Sequence, residues 1–130
     1  MQLSLIIPLY NCRKFIAMNV RRVSDYLEKN INDHEIILVD DGSTDGTHQV
    51  LEDLKSNRIK VIILPKNKGK FGAIRAGIDS AVGECVIFTD ADLPFELEAF
   101  KYIFHNVKER GIHIVIGDRT LVDSEYVGSL

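Results

Sequence analysis

Asp90 and Asp92 are separated by one residue and stand directly behind the apolar run 85–89. Two carboxylates at the end of a strand can approach one hard divalent cation, and Mg²⁺ or Mn²⁺ held there would bridge them to phosphate oxygens. Pro94 closes the same turn. The residue types equally suit a solvated acidic turn that caps a following helix.

A second acidic cluster, Asp40-Asp41-Gly42-Ser43-Thr44-Asp45-Gly46, also follows an apolar run. A carboxylate there could accept a hydrogen bond from a nucleobase, and Ser43, Thr44 or Asp45 could cap the next helix. Asp41, Ser43, Asp45, Gly46 and Glu52 fall at positions of an EF-hand calcium loop. Against that reading, residues 35–39 look like a strand where an entering helix is needed, and His48 sits where an apolar residue is usual. Lys66, Lys68 and Lys70, with Gly69 and Gly72 among them, could face a phosphate, although neither a P-loop nor a Gly-x-Gly-x-x-Gly pattern is present. Such lysines also suit plain solvated surface. Arg119, in Gly117-Asp118-Arg119-Thr120, could grip a phosphate bidentately or form an ordinary salt bridge. His34, His48, His105 and His113 lack metal-ligand spacing, and no nucleophile, histidine and acid grouping can be assembled.

These groups need a frame. Apolar runs suited to buried parallel strands recur at residues 3–8, 35–39, 60–64, 84–89 and 112–117. Between them lie helical stripes: Ile16, Val20, Val23, Leu27 and Ile31; Val50, Leu51 and Leu54; Phe71, Ile74, Ile78 and Ala81; Leu97, Phe100, Phe104 and Val107. The order βαβαβαβαβ predicts an α/β fold, a mostly parallel sheet with helices on both faces. Ligands of such sheets bind at the carboxyl ends of the strands. Tyr10 and Asn11, Asp40 and Asp41, the lysine cluster, Asp90 and Asp92, and Asp118 and Arg119 all fall there. Residues 124–130 show no clear helical or strand period.

The chain's 130 residues, 45% of them hydrophobic, suit one compact domain spanning residues 1–130. With 16 Lys and Arg against 19 Asp and Glu, a net charge of -3 provides no global field for nucleic acid, and none is expected as a partner. Cys12 and Cys85, without Cys-x-x-Cys spacing, read as reduced thiols of a cytoplasmic protein. The apolar run near the N-terminus lacks a preceding cationic segment and is far short of the ~20 residues that span a bilayer. A soluble or membrane-peripheral protein is expected.

Taken together, four ordered segments resemble the family 2 glycosyltransferases with the GT-A fold. They are residues 5–11 (Leu-Ile-Ile-Pro-Leu-Tyr-Asn), 36–47, 67–73 (Asn-Lys-Gly-Lys-Phe-Gly-Ala) and 88–92 (Phe-Thr-Asp-Ala-Asp). Any one is weak, but the four in this order and spacing are specific and cover almost the whole chain. Asp90-Ala91-Asp92-Leu93 with Gly117-Asp118-Arg119 is most similar to the polyprenyl-phosphate hexose synthases, which include the dolichyl-phosphate mannose and glucose synthases.

The resemblance implies a Rossmann-like GT-A nucleotide-sugar-binding domain that lacks the usual C-terminal acceptor part. It implies transfer of a hexose from a UDP- or GDP-sugar, with inversion, to an acceptor such as a polyprenyl phosphate or a glycan, in cell envelope polysaccharide or glycolipid synthesis. Pro8, Tyr10, Asn11, Val39, Asp40, Asp41, Lys68, Asp90 and Ala91 would bind the donor. Asp90 and Asp92 would hold Mg²⁺ or Mn²⁺, and Asp92 and Arg119 would be the catalytic pair, with Arg119 on phosphate. In the subgroup a Glu often follows the Tyr-Asn pair, and Cys12 takes that place here. Peripheral association with the inner face of a membrane and a homodimer are compatible with this reading. Alternatives are a donor-binding fragment without activity, a sugar nucleotidyltransferase, a haloacid-dehalogenase-like phosphatase and, most remote, a calcium-binding module.

Overall fold

The computed structural model describes residues 3–93, 96–110, 114–117 and 125–128. Five strands and four helices alternate as expected: β1 (Leu3–Leu9), α1 (Ile16–Asn30), β2 (His34–Asp40), α2 (Thr47–Leu54), β3 (Ile59–Ile63), α3 (Gly69–Ser80), β4 (Cys85–Phe88), α4 (Glu98–Arg110) and β5 (Ile114–Gly117). A sixth strand, β6 (Glu125–Gly128), pairs antiparallel with β5. The expectation of no strand period after residue 124 is corrected by it. Four residues paired on one side only are too few to display alternation.

The sheet order is β3-β2-β1-β4-β5-β6, parallel from β3 through β5. Every residue of β1 and β2 is buried, as the continuous apolar runs require of strands covered on both faces. Side chains alternate between the faces. Leu3, Leu5, Ile7, Ile36, Leu38 and Ile87 pack with the apolar stripes of α1, α2 and α4, whereas Ile6, Ile37, Val39, Val86 and Phe88 pack with α3. The chain order reverses at β1, which lies between β2 and β4, and this is where α/β sheets open a crevice at their carboxyl ends.

Helix α3 lies unusually close to β1. A Cβ on Gly77 would come within 2.6 Å of Ile6 Cγ2, so only glycine permits this approach. At the opposite, amino-terminal end of the sheet, buried Glu35 ties three segments together. Its Oε1 accepts the Ser4 hydroxyl at 2.6 Å and the Val82 N–H at 2.9 Å, and its Oε2 meets Lys60 Nζ at 2.7 Å. Burial alone would raise the Glu35 pKa, but the hydrogen bonds from Lys60, Ser4 and Val82 outweigh it and hold the carboxyl below its ordinary value.

Candidate donor-binding site

Three strand ends and the segment that opens α3 enclose a cleft of about 300 Å³, lined by Pro8, Leu9, Tyr10, Asp41, Asn67, Gly69, Lys70, Ala73 and Asp90. Of the residues singled out from sequence, Pro8, Tyr10, Asp41, Gly69, Lys70 and Asp90 meet there. Pro8 is buried in β1, while Tyr10, just past the strand, is half exposed. Asp41 is 4% exposed, and its Oδ1 accepts the Lys68 N–H at 2.6 Å. Lys68 therefore meets the acidic cluster through its backbone. Lys70 provides the ammonium, with its Nζ 2.7 Å from Asp90 Oδ1.

The other expected donor contacts have structural partners in the described residues. The Asp40 carboxylate, buried at the end of β2, accepts the Ser43 N–H at 3.0 Å and shapes the turn. Val39 points into the core shared with α3. Asn11 is a strut between two loops: its N–H donates to Ser43 Oγ and its Oδ1 accepts the Thr44 N–H, both at 2.8 Å, with φ at 50°. Asp45 accepts the Thr47 N–H at 3.0 Å and the Thr47 hydroxyl, which lowers its pKa and holds the start of α2. Gly42, at φ 75°, brings this loop against the backbone of the loop after β3, where a Cβ would lie 2.7 Å from Asn67 N. Cys12 and Cys85 are buried and unlinked. Burial, reinforced by Asp45 and Asp40, pushes the Cys12 thiol up to about 12. Arg119, Asp118 and Pro94 lie outside the described residues.

One positioning residue escaped the sequence reading. Asn19, on the buried face of α1, donates through Nδ2 to the Ala91 carbonyl at 2.9 Å and so anchors the turn that carries Asp90 and Asp92. The signal was present as a polar residue inside an apolar stripe, between Ile16 and Val20. Ala91 itself packs against the α1 and α4 core.

Asp90 and Asp92 fit a hard divalent cation by donor chemistry. No group of three or more His, Cys, Asp or Glu side chains capable of holding a metal occurs among the described residues. Mg²⁺ and Mn²⁺ do not need one, since one or two carboxylates suffice when phosphate and water complete the shell. An EF-hand is ruled out at residues 41–52 because a strand, β2, leads into that loop.

An α/β sheet with carboxylates at its carboxyl edge and a cleft at the reversal of strand order defines the general class. The chain belongs to glycosyl transferase family 2, whose profile matches residues 4–128. A human dolichyl-phosphate beta-glucosyltransferase is 41% identical over 100 residues, covering 70% of this chain and 31% of that protein. The chain thus spans about a third of the length of that relative. S. aureus TarS 1-349 in complex with UDP-GlcNAc superposes with a TM-score of 0.64 at 30% identity, covering 86% of this chain and 32% of that one. Mannosyltransferase PcManGT from Pyrobaculum calidifontis, in complex with GDP-Man and Mn²⁺, gives 0.57 at 26% identity over 70% of this chain and 27% of that one. The GT-A fold and the likeness to polyprenyl-phosphate sugar transferases expected from the motifs are both borne out.

Proposed function

We propose that residues 1–130 form a single unit that binds a nucleotide-diphosphate sugar, UDP- or GDP-linked, and serves transfer of its hexose with inversion to a polyprenyl phosphate. The observation that carries this reading is the cleft itself. Pro8 and Tyr10 at the end of β1 lie between Asp41 beyond β2 and Asp90 beyond β4, and all four line it with Lys70, a lining suited to a nucleoside beside Pro8 and Tyr10 and a diphosphate beside Lys70 and Asp90. The relative named for dolichyl phosphate and the neighbour seen with UDP-GlcNAc support the donor and acceptor classes.

Asp90 and Asp92 would hold Mg²⁺ or Mn²⁺, which supplies charge neutralisation to the departing diphosphate. The neighbour seen with Mn²⁺ supports a divalent ion. In the reaction an acceptor oxygen attacks the anomeric carbon, and the bond to the diphosphate oxygen breaks with its electron pair leaving on the nucleotide. A phosphate acceptor is already anionic and needs no general base. Tyr10 and Asp41 would face the nucleobase, Asn11, Val39, Asp40 and Ala91 would shape the walls around it, Lys68 would border the phosphates, and Arg119 would meet phosphate. No described helix is long and apolar enough to cross a membrane. A lipid acceptor would place the protein at the inner face of a membrane as a peripheral protein, and a homodimer is compatible with that placement.

Calorimetric titration of UDP and of GDP with Mn²⁺ tests the reading. Binding of one of them, with the metal-dependent part abolished in Asp92→Ala, is the expected outcome. A folded sample that binds neither nucleotide overturns it.

A further inference from the structure

The Lys70 ammonium reaches the carboxylate assigned to the metal. Its Nζ lies 2.7 Å from Asp90 Oδ1, the Asp90 side chain is 30% exposed, and both residues line the donor cleft. Lys70 also stands where helix physics disfavours it. It occupies the first turn of α3, where the macrodipole is already positive and the turn carries no acidic residue of its own. The Asp41 carboxylate on the Lys68 N–H and Asn67 Oδ1 on the Gly69 N–H occupy backbone donors there and leave the Lys70 ammonium to Asp90. A cation in that place is explained by anions nearby. Asp90 is one, and the phosphates of a bound donor would be another.

We propose that Lys70 is an exchangeable counter-ion of the donor site. It competes with the divalent cation for Asp90 and transfers its pairing to the diphosphate when metal and nucleotide bind. The inference rests on the donor-site reading above and adds to it a residue that acts at the phosphate end. A dication on Asp90 and Asp92 removes the attraction that holds the ammonium and repels it. The flexible stem of lysine then allows Nζ to swing toward phosphate oxygens without moving α3. As the bond to the sugar breaks, the diphosphate gains one negative charge, and a cation already beside it stabilises that charge. Lysine, a compact charge with three freely rotating donors, suits a role that changes partners better than a residue fixed in one bidentate pair.

The proposal requires effects of opposite sign on two affinities. Removing the ammonium frees Asp90, so Lys70→Met should bind Mn²⁺ alone about two- to fivefold more tightly, the range expected for losing a competing, partly exposed ion pair. The same variant should bind UDP or GDP in the presence of Mn²⁺ about tenfold more weakly, because a charge-assisted contact to phosphate is lost. Lys70→Arg keeps the charge but can hold Asp90 bidentately, so it should not tighten Mn²⁺ binding as Lys70→Met does and should keep more of the nucleotide affinity than Lys70→Met. Electron paramagnetic resonance of free Mn²⁺ measures the first affinity and calorimetry the second. Mn²⁺ affinity that is unchanged or weaker in Lys70→Met overturns the exchange, as does nucleotide affinity that is unchanged. A native chain that binds no nucleotide overturns the donor reading and, with it, the transfer to diphosphate. Competition for Asp90 is judged separately by the Mn²⁺ titration alone.

Discussion

Substituting Gly77 by alanine sets two effects of known size against each other. In a helix interior, alanine is favoured over glycine by about 0.8–1.0 kcal/mol, so propensity alone predicts stabilisation. The added Cβ, however, would lie 2.6 Å from Ile6 Cγ2 and 3.2 Å from both Ile6 Cγ1 and Cδ1. Ile6 is fully buried, and Cγ2 is bonded to its Cβ, so that atom moves only with χ1 or with the strand. Relief must come from moving α3 off β1, and overpacking of this kind costs about 1–3 kcal/mol. The net expectation for Gly77→Ala is a loss of about 1 kcal/mol, a Tm roughly 4 °C lower. The shift should reach the cleft, because Lys70, Ala73 and Gly77 follow one face of α3 and the first two line the cleft together with Pro8. Urea denaturation followed by circular dichroism measures the stability, and a double-mutant cycle assigns it. Ile6→Ala alone should cost about 2–5 kcal/mol. The methyl introduced by Gly77→Ala should then partly fill the space left, and the double variant should lose less than the sum by about 1 kcal/mol. A Gly77→Ala protein more stable than the native chain by the propensity difference would refute the reasoning.

Further outcomes follow from other contacts. Asn19→Ala removes the hydrogen bond to the Ala91 carbonyl, so it should cost about 1–2 kcal/mol of stability and weaken Mn²⁺ binding by releasing the Asp90-Ala91-Asp92 turn, whereas Asn19→Gln should do no better because its longer chain displaces the amide. Glu35 has a depressed pKa in the folded chain, so the unfolded chain binds its proton more readily. Its contribution is present above the ordinary value of 4.5 and is lost as pH falls below that value through the folded one. Denaturation midpoints should therefore fall as the pH is lowered below 4.5, and Glu35→Gln should flatten that part of the profile.

The frame was legible because burial on both faces writes an unbroken apolar run for each central strand and a stripe of period 3.6 for each helix. Ile36 to Val39 and Ile16, Val20, Val23 and Leu27 are such signals. The strand β6 carries none, being short and at the sheet edge. Within the site, Asp41 was legible as the first residue beyond β2, but its neighbour Asp40 has the same chemistry and a different use. Only the position of the strand end separates the carboxylate that closes a turn from the one that lines the cleft. Lys68 and Lys70 pose the same difficulty. Both precede an apolar helix stripe, and it is the register of α3, with Gly69 at φ 83° starting it, that turns the Lys70 side chain toward Asp90 and leaves Lys68 meeting Asp41 through its N–H. Sequence reports which groups reach the sheet edge, and helix phase decides which of them face each other.

Helix phase also explains how several carboxylates can share one edge of the sheet without pushing it apart. Asp40 is satisfied by the Ser43 N–H, Asp41 by the Lys68 N–H and Asp90 by the Lys70 ammonium. The first two partners are backbone dipoles fixed by the fold, so the pairings persist whatever binds. The third is a full charge on a flexible stem, half exposed and able to leave. In the proposed donor site, a divalent cation at Asp90 and Asp92 would meet two backbone-held carboxylates and one movable counter-charge. In the proposed reading that asymmetry would place the capacity to exchange ions at Lys70 and Asp90, while the backbone contacts of Asp40 and Asp41 stay in place. A transferase needs this division, since the nucleoside must stay fixed while the charge on the diphosphate changes.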